Sequence, residues 1–201
     1  MSHYHTTYIR NIIGNGMDEK NRIQEELLVL RCQLGDADAY KVLIAMMEER
    51  LFFYIRHLVP TENDAYDVLQ EVWVTVIRKI KKLLHPKAFR PWIYRITHDH
   101  AVNLIRHQIH QDKIQESYAE ESISNEEDPF PDPENAIHIH HALKKLNLRH
   151  RQVLTLFFME NMSYEEISQV IGCNMGTVKS RMHNAKKKLR LLMEGQDAGR
   201  K

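Results

Sequence analysis

The chain has 201 residues, 43% hydrophobic and 27% charged, a balance that suits one or two small globular modules rather than a disordered polypeptide. Its 28 Lys and Arg against 27 Asp and Glu give a formal net charge of +1, so the distribution of charge says more than its sum. No apolar run approaches the roughly 20 residues of a membrane span, the opening MSHYHTTYIR has no signal-peptide apolar core, and two cysteines are too few for a disulfide framework or a paired-cysteine zinc site. The expected compartment is the cytoplasm, and Cys32 and Cys173 are expected to be small buried hydrophobes.

Residues 1 to 16 contain Gly14 and Gly16 and no sustained apolar period, so a flexible extension is expected, drawn as far as residue 21. Met17 opens a better helical pattern and is a second candidate start of translation, which mass spectrometry of the native N-terminus decides. From Glu25 to about Val59, apolar residues recur at helical spacing, broken near Gly35 and closed by Pro60, which predicts two helices. A third is predicted from Thr61 or Asn63 to about Leu84, with Pro86 ending it. A fourth begins near Phe89 or Pro91 and continues through WIYRITHDHAVNLIRH. The stretch 111–135 is acidic, holds three prolines and has little apolar surface to offset its ordering entropy, so it reads as a flexible linker. No strand signal occurs. The fold class is all-α, with two small helical domains at 22–110 and 136–194 and a flexible tail at 195–201.

The second domain carries dense local signals. Asn161 suits a left-handed helix terminus, Ser163 an N-cap, and Glu166 the capping box that goes with it, while Met162 and Ile167 fit a hydrophobic staple. The helix Tyr164 to Ile171 should stop at Gly172, and Asn174 should cap the next. Two helices joined by a tight Gly turn make a helix-turn-helix. At about 100° per residue, Val178, Met182, Ala185 and Leu189 share the packed face. Gly176, Lys179, Ser180, His183, Asn184 and Lys187 fall on or beside the other. Such a polar, basic face suits the DNA major groove, because Lys and Arg donate to guanine or phosphate while Ser and Asn both donate and accept.

In the first domain, Leu69, Val72, Trp73, Val76 and Ile80 share one face of the third helix, and Asp67, Gln70, Glu71, Val74 and Arg78 the opposite one. An acidic patch around an apolar Val74 fits a basic partner surface better than solubility alone requires. The segment that follows mixes Lys81, Lys82, Lys87, Arg90 and Arg95 with Phe89, Trp92 and Tyr94. Cations interleaved with aromatics serve single-stranded nucleic acid, whose phosphates and unstacked bases need both. Periodicity places Trp92, Ile93 and Ile96 mostly in the core, so the Pro-anchored loop His85 to Ala88 is the better place to hold a base.

Together the modules resemble the sigma-70 family, specifically its extracytoplasmic-function (ECF) group of bacterial sigma factors. DAYDVLQEVWVTVIRKI followed by FRPWIYRITHDHAVNLIR is similar to region 2, and LNLRHRQVLTLFFMENMSYEEISQVIGCNMGTVKSRMHNAKKKLR to region 4, in the family's order and over roughly residues 22 to 194. The resemblance implies a non-enzymatic subunit without cofactor or metal that binds core RNA polymerase, directs it to promoters and promotes melting. It puts Asp67, Gln70, Glu71 and Val74 against the beta-prime clamp helices, and region 4 near the beta flap. It assigns -10 recognition and melting to Leu84, His85, Lys87, Phe89, Arg90, Arg95 and His98, with the loop Leu84 to Phe89 capturing a flipped base. Reading of the -35 element falls to Thr177, Lys179, Ser180, Arg181, His183, Asn184 and Lys187, with Arg181 at the rim. Many members are held by an anti-sigma partner, though no residue here identifies one.

The chain departs from the family where the more basic IARN becomes Ile96, Thr97, His98 and Asp99, which lowers the positive charge offered to phosphates. Thirteen histidines raise a metal or pH-sensing reading, above all at 98 to 100 and 138 to 141, but no set of three convergent ligands emerges from their spacing. The alternative to a sigma factor is a two-domain regulator that binds its operator without polymerase.

Overall fold

A left-handed glycine and two capping residues set helix boundaries in the N-terminal half. The computed structural model describes residues 19–115, 142–143 and 145–198. Helix α1, Glu19–Gln33, gives way to Gly35, whose φ of +89° is a backbone conformation most side chains resist. Asp36 then caps α2, Ala37–Arg56, its carboxylate accepting from the backbone N–H groups of Asp38 and Ala39 at 3.0 and 3.1 Å. Thr61 and Asp64 close a reciprocal capping box at the head of α3, Glu62–Lys79. Short 3-10 turns at Ile80–Lys82 and Pro86–Ala88 lead into α4, Phe89–Gln115. The side-chain amide of Gln33 donates to the carbonyls of Ile80 and Leu83, at 3.0 and 2.7 Å, and so pins the first of these turns to α1.

In the C-terminal half, Asn147 caps α5, Leu148–Leu154, by accepting from the His150 N–H at 2.9 Å. The helix continues through a π-helical turn, Thr155–Met159, which the sequence pattern does not announce. Asn161 is left-handed at φ +51°. Ser163 and Glu166 form the expected capping box on α6, Tyr164–Ile171, which ends at Gly172 with φ +71°. Asn174 caps α7, Met175–Ala198, through the Thr177 N–H at 2.8 Å.

Among the described residues there is no strand, and the fold is the all-α architecture expected. One continuous buried cluster links both halves, from Leu28 and Leu43 through Val76, Phe89 and Ile93 to Leu154, Ile167, Val178 and Ala185. Complete burial of a Leu, Ile or Phe side chain is worth about 1.5–3 kcal/mol, so this cluster dominates the stability. Helix α4 packs along α6, which brings the two domains into direct contact.

Several boundaries differ from expectation. Helix α1 is already formed at Glu19, inside the stretch drawn as extension; α4 runs five residues into the acidic segment; α7 runs four residues into the expected tail. Helix α3 stops at Lys79 rather than near Leu84. The second start at Met17, most of the 111–135 linker and the histidine group at 138 to 141 lie outside the described residues. Cys32 is fully buried, and burial pushes its thiol up to about 11, whereas Cys173 is only half-buried, with Arg181 Nη1 3.8 Å from its Sγ.

Candidate nucleic-acid interface

Three surfaces bear on function. The first is the outward face of α3. Val68, Leu69, Val72, Trp73, Val76 and the adjoining Ile80 are buried, and this fixes the rotation of the helix so that Asp67, Gln70, Glu71 and Arg78 face solvent. Val74 stands 42% exposed in the middle of that face, and Ile77, one turn on, is 50% exposed. The expectation named Val74 alone. Ile77 lies three residues further along the same face, so the helical period contained the signal. Two exposed β-branched side chains stand beside the carboxylates of Asp67 and Glu71 on one side and Arg78 on the other, an apolar centre with a charged rim, the anatomy of a docking patch.

The second surface surrounds the loop after α3. Leu84 is 87% exposed, and His85 and Lys87 also face solvent. A shallow open groove beside the loop is lined by Leu30 of α1, by Pro86, Ala88 and Pro91, and on its far wall by Glu166 and Gln169 of α6. The remaining residues assigned to the -10 element are placed differently. Phe89 is fully buried in the core beside Trp92, with ring centroids 6.1 Å apart. Arg90 is buried within 3.9 Å of Glu25 and 3.6 Å of Glu160, and its Nε and Nη2 have no hydrogen-bond partner. Burial first, and then the neighbouring Arg50 cation, holds the pKa of Arg90 below its usual value. His98 is buried behind Tyr54, whose hydroxyl is 3.4 Å from Nδ1, and burial lowers its pKa to about 4, so it is neutral at physiological pH. Arg95 is half-buried and donates from Nη1 to the carbonyls of Gln169 and Val170, at 3.2 and 3.4 Å, while Nε pairs with Asp99. In this arrangement Phe89, Arg90 and His98 are turned away from solvent, because they lie on the helical stripe of α4 that includes Ile93, Tyr94, Thr97 and Ala101 and faces the core.

The third surface is α7. Val178, Met182 and Ala185 are buried against the rest of the helix-turn-helix and Leu189 is half-buried, as the helical period requires. Gly176, Lys179, Ser180, His183, Asn184 and Lys187 are exposed together along the opposite face. Thr177 and Arg181 flank it, half-buried; the Thr177 carbonyl accepts from the Ser180 hydroxyl at 3.0 Å, which orients that side chain at the head of the helix. The row begins at the helix N-terminus, where a recognition helix enters a groove.

No group of three metal-ligating side chains occurs among the described residues; His100 is instead engaged with Thr75, Nε2 to Oγ1 at 2.9 Å. No described helix is long and apolar enough to cross a membrane.

Comparison with known proteins falls on these same segments. Residues 43–110 match the family model for Sigma-70 region 2, and residues 137–189 the model for Sigma-70, region 4. The chain is 27% identical over 176 residues to the ECF RNA polymerase sigma-E factor of Escherichia coli (strain K12), covering 82% of this chain and 92% of that protein. It is also 27% identical over 146 residues to the RNA polymerase sigma factor SigV of Bacillus subtilis (strain 168), covering 73% and 83%. Among solved structures, the fold resembles the sigma factor RpoE of Bartonella quintana, solved with the anti-sigma factor NepR, with a TM-score of 0.66 at 19% identity over 77% of this chain and 96% of that one. It also resembles CnrH, solved with the cytosolic domain of CnrY, with a TM-score of 0.62 at 22% identity over 85% and 97%. The helix-turn-helix and the four-helix module ahead of it define a transcription factor of the sigma type. The chain belongs to the sigma-70 family, in its ECF group, and is a non-enzymatic subunit that directs RNA polymerase to promoters for initiation.

Proposed function

We propose a division of labour among the three surfaces. The acidic face of α3, with Asp67, Gln70, Glu71 and Val74, docks on the basic clamp helices of the polymerase beta-prime subunit, and Ile77 extends its apolar centre. The loop from Leu84 to Lys87 takes a flipped base of the -10 element into the groove beside it and so promotes melting, and Arg95 reaches phosphate only on leaving the α6 carbonyls that it now holds. Lys179, Ser180, His183 and Asn184 read the -35 element from the major groove, with Thr177, Arg181 and Lys187 on the flanking phosphates and region 4 near the beta flap. A subunit that works on polymerase and chromosome together acts in the cytoplasm. An anti-sigma partner is expected by analogy with the complexes in which the structural relatives were solved.

The observation that carries this reading is the pairing, in one chain, of an acidic face with two exposed apolar side chains on α3 and a continuous polar, basic row on α7. An operator-binding regulator without polymerase would use the second and leave the first without a role. A pull-down with purified core polymerase tests it. Wild-type protein is expected to be retained and the Asp67→Arg, Glu71→Arg double variant lost; equal retention of both would remove the assignment of this face.

A further inference from the structure

Helix α1 is apolar on two opposite faces. At about 100° per residue, its buried positions Leu28, Val29 and Cys32 gather on one side, and Ile23, Leu27, Leu30 and Leu34 gather within about 60° of one another on the side directly away from it. The Leu34 N–H donates to the Leu30 carbonyl at 3.1 Å, so the outward row keeps helical register past Gln33. Its four side chains are between 45% and 87% exposed. A single exposed Leu needs no explanation, but four in an unbroken row along one helix form a contiguous apolar patch of the kind that marks an interaction site.

Spacing indicates what fits against it. The outward residues follow one another by four, three and four positions, the a/d repeat by which one helix packs along another in a left-handed supercoil. The charges beside the row indicate which helix. Glu26 lies about 70° to one side of it and Arg31 about 70° to the other. A second copy of α1 laid alongside in the same direction brings the Glu26 flank of each copy against the Arg31 flank of the other, five positions on, where opposite charges meet across a two-stranded coiled coil. Laid in the opposite direction, each flank would meet its own kind, so charge favours the parallel order. Arg31 is already steadied by Asp36, 2.9 Å from Nε and 2.7 Å from Nη2, and its guanidinium has further donors to offer.

Four side chains from each copy bury on the order of 800 Å² in total, short of the about 1,200 Å² at which stable specific interfaces begin. Pairing through this row is therefore reversible and set by concentration.

We propose that the outward row of α1 is a self-association seam, through which two copies of this chain pair in parallel with Glu26 of each facing Arg31 of the other. The proposal stands apart from the roles given to the three surfaces above, none of which uses Ile23, Leu27 or Leu34.

Sedimentation velocity of the full chain at low salt, from about 1 to about 300 µM, tests it. The wild type is expected to pass from monomer to dimer over that range. Leu27→Gln with Leu34→Gln, both at the surface, is expected to raise the concentration needed about ten-fold or more while leaving thermal unfolding unchanged. Glu26→Lys, which sets a cation against Arg31 of the second copy, is expected to raise it several-fold. Direction is read from a disulfide. With Cys32 and Cys173 replaced by Ala, Ile23→Cys is expected to link two copies on mild oxidation, because the parallel order brings position 23 of each together, whereas the antiparallel order holds them about 16 Å apart. A chain that is monomeric throughout the range would overturn the proposal and give the row to another segment of the chain or to a different protein. So would dimers that survive Leu27→Gln with Leu34→Gln, or dimers that Ile23→Cys fails to link.

Discussion

Helices α4 and α7 both carry residues expected to meet promoter DNA, yet they meet solvent differently. On α7 the polar row from Gly176 to Lys187 is uncovered along its length, and the apolar row behind it is buried. On α4, Phe89, Arg90 and His98 are buried and Arg95 is engaged by region 4. A recognition helix in a helix-turn-helix packs on one side only, so its reading face is exposed by construction. A helix at the centre of a bundle is contacted on several sides, and fewer of its side chains reach solvent. The polar row of α7 is therefore open to solvent, whereas the cations of α4 are held by neighbouring elements.

The contrast is sharpest for the buried face. His98 has its pKa lowered from 6.5 to about 4 by burial, so the unfolded chain binds the proton more readily than the folded one. Stability contributed by the neutral ring is thus present above pH 6.5 and is lost as pH falls toward 4, amounting to about 3 kcal/mol at about 1.4 kcal/mol per pH unit. Urea denaturation between pH 7 and 4 is expected to show this loss, and His98→Gln to flatten the slope; a slope unchanged by that substitution would place the acid sensitivity elsewhere.

The exposed faces should respond in binding and leave stability alone. Asp67→Arg with Glu71→Arg is expected to weaken core-polymerase binding about 100-fold, about 2.7 kcal/mol, with a melting temperature within about 2 °C of wild type. Lys179→Ala with Ser180→Ala is expected to lower transcription that depends on the upstream element about 10- to 30-fold while leaving polymerase binding intact, at about 1–3 kcal/mol per good side-chain to base pairing. Equal loss of both would mean that α7 serves another purpose. The smallest effect is expected at the α6 cap, where Ser163→Ala removes one side of the capping box and costs about 1 kcal/mol, read as a shift of a few degrees in thermal unfolding.

These contrasts follow what the residues themselves announce. The exposed polar row of α7 was legible because its signals are local: Ser163 with Glu166, Gly172, Asn174 and a clean period of 3.6 all act within a few residues. The α3 face was legible for the same reason, and Ile77 was there to be read from its place three residues after Val74. What was not legible depends on contacts made across the chain. Glu160 stands 110 residues from Arg50, with which it pairs at 2.8 Å. Arg90 and Arg95 stand about 140° apart on α4, yet the partners that engage them come from distant segments: Glu25 and Glu160 beside one, the α6 carbonyls beneath the other. The π-helical turn at Thr155–Met159, which precedes Glu160, likewise has no periodic signature.

The central claim is that this chain makes core polymerase choose promoters, with region 4 supplying upstream recognition. Purified core polymerase, supplied with this protein and a genomic DNA library, tests it most directly through the mapped 5′ ends of the transcripts. The account predicts starts that share a two-part upstream sequence, vanish without the protein and fall sharply with Lys179→Ala and Ser180→Ala. Starts indistinguishable from those of core polymerase alone would contradict it.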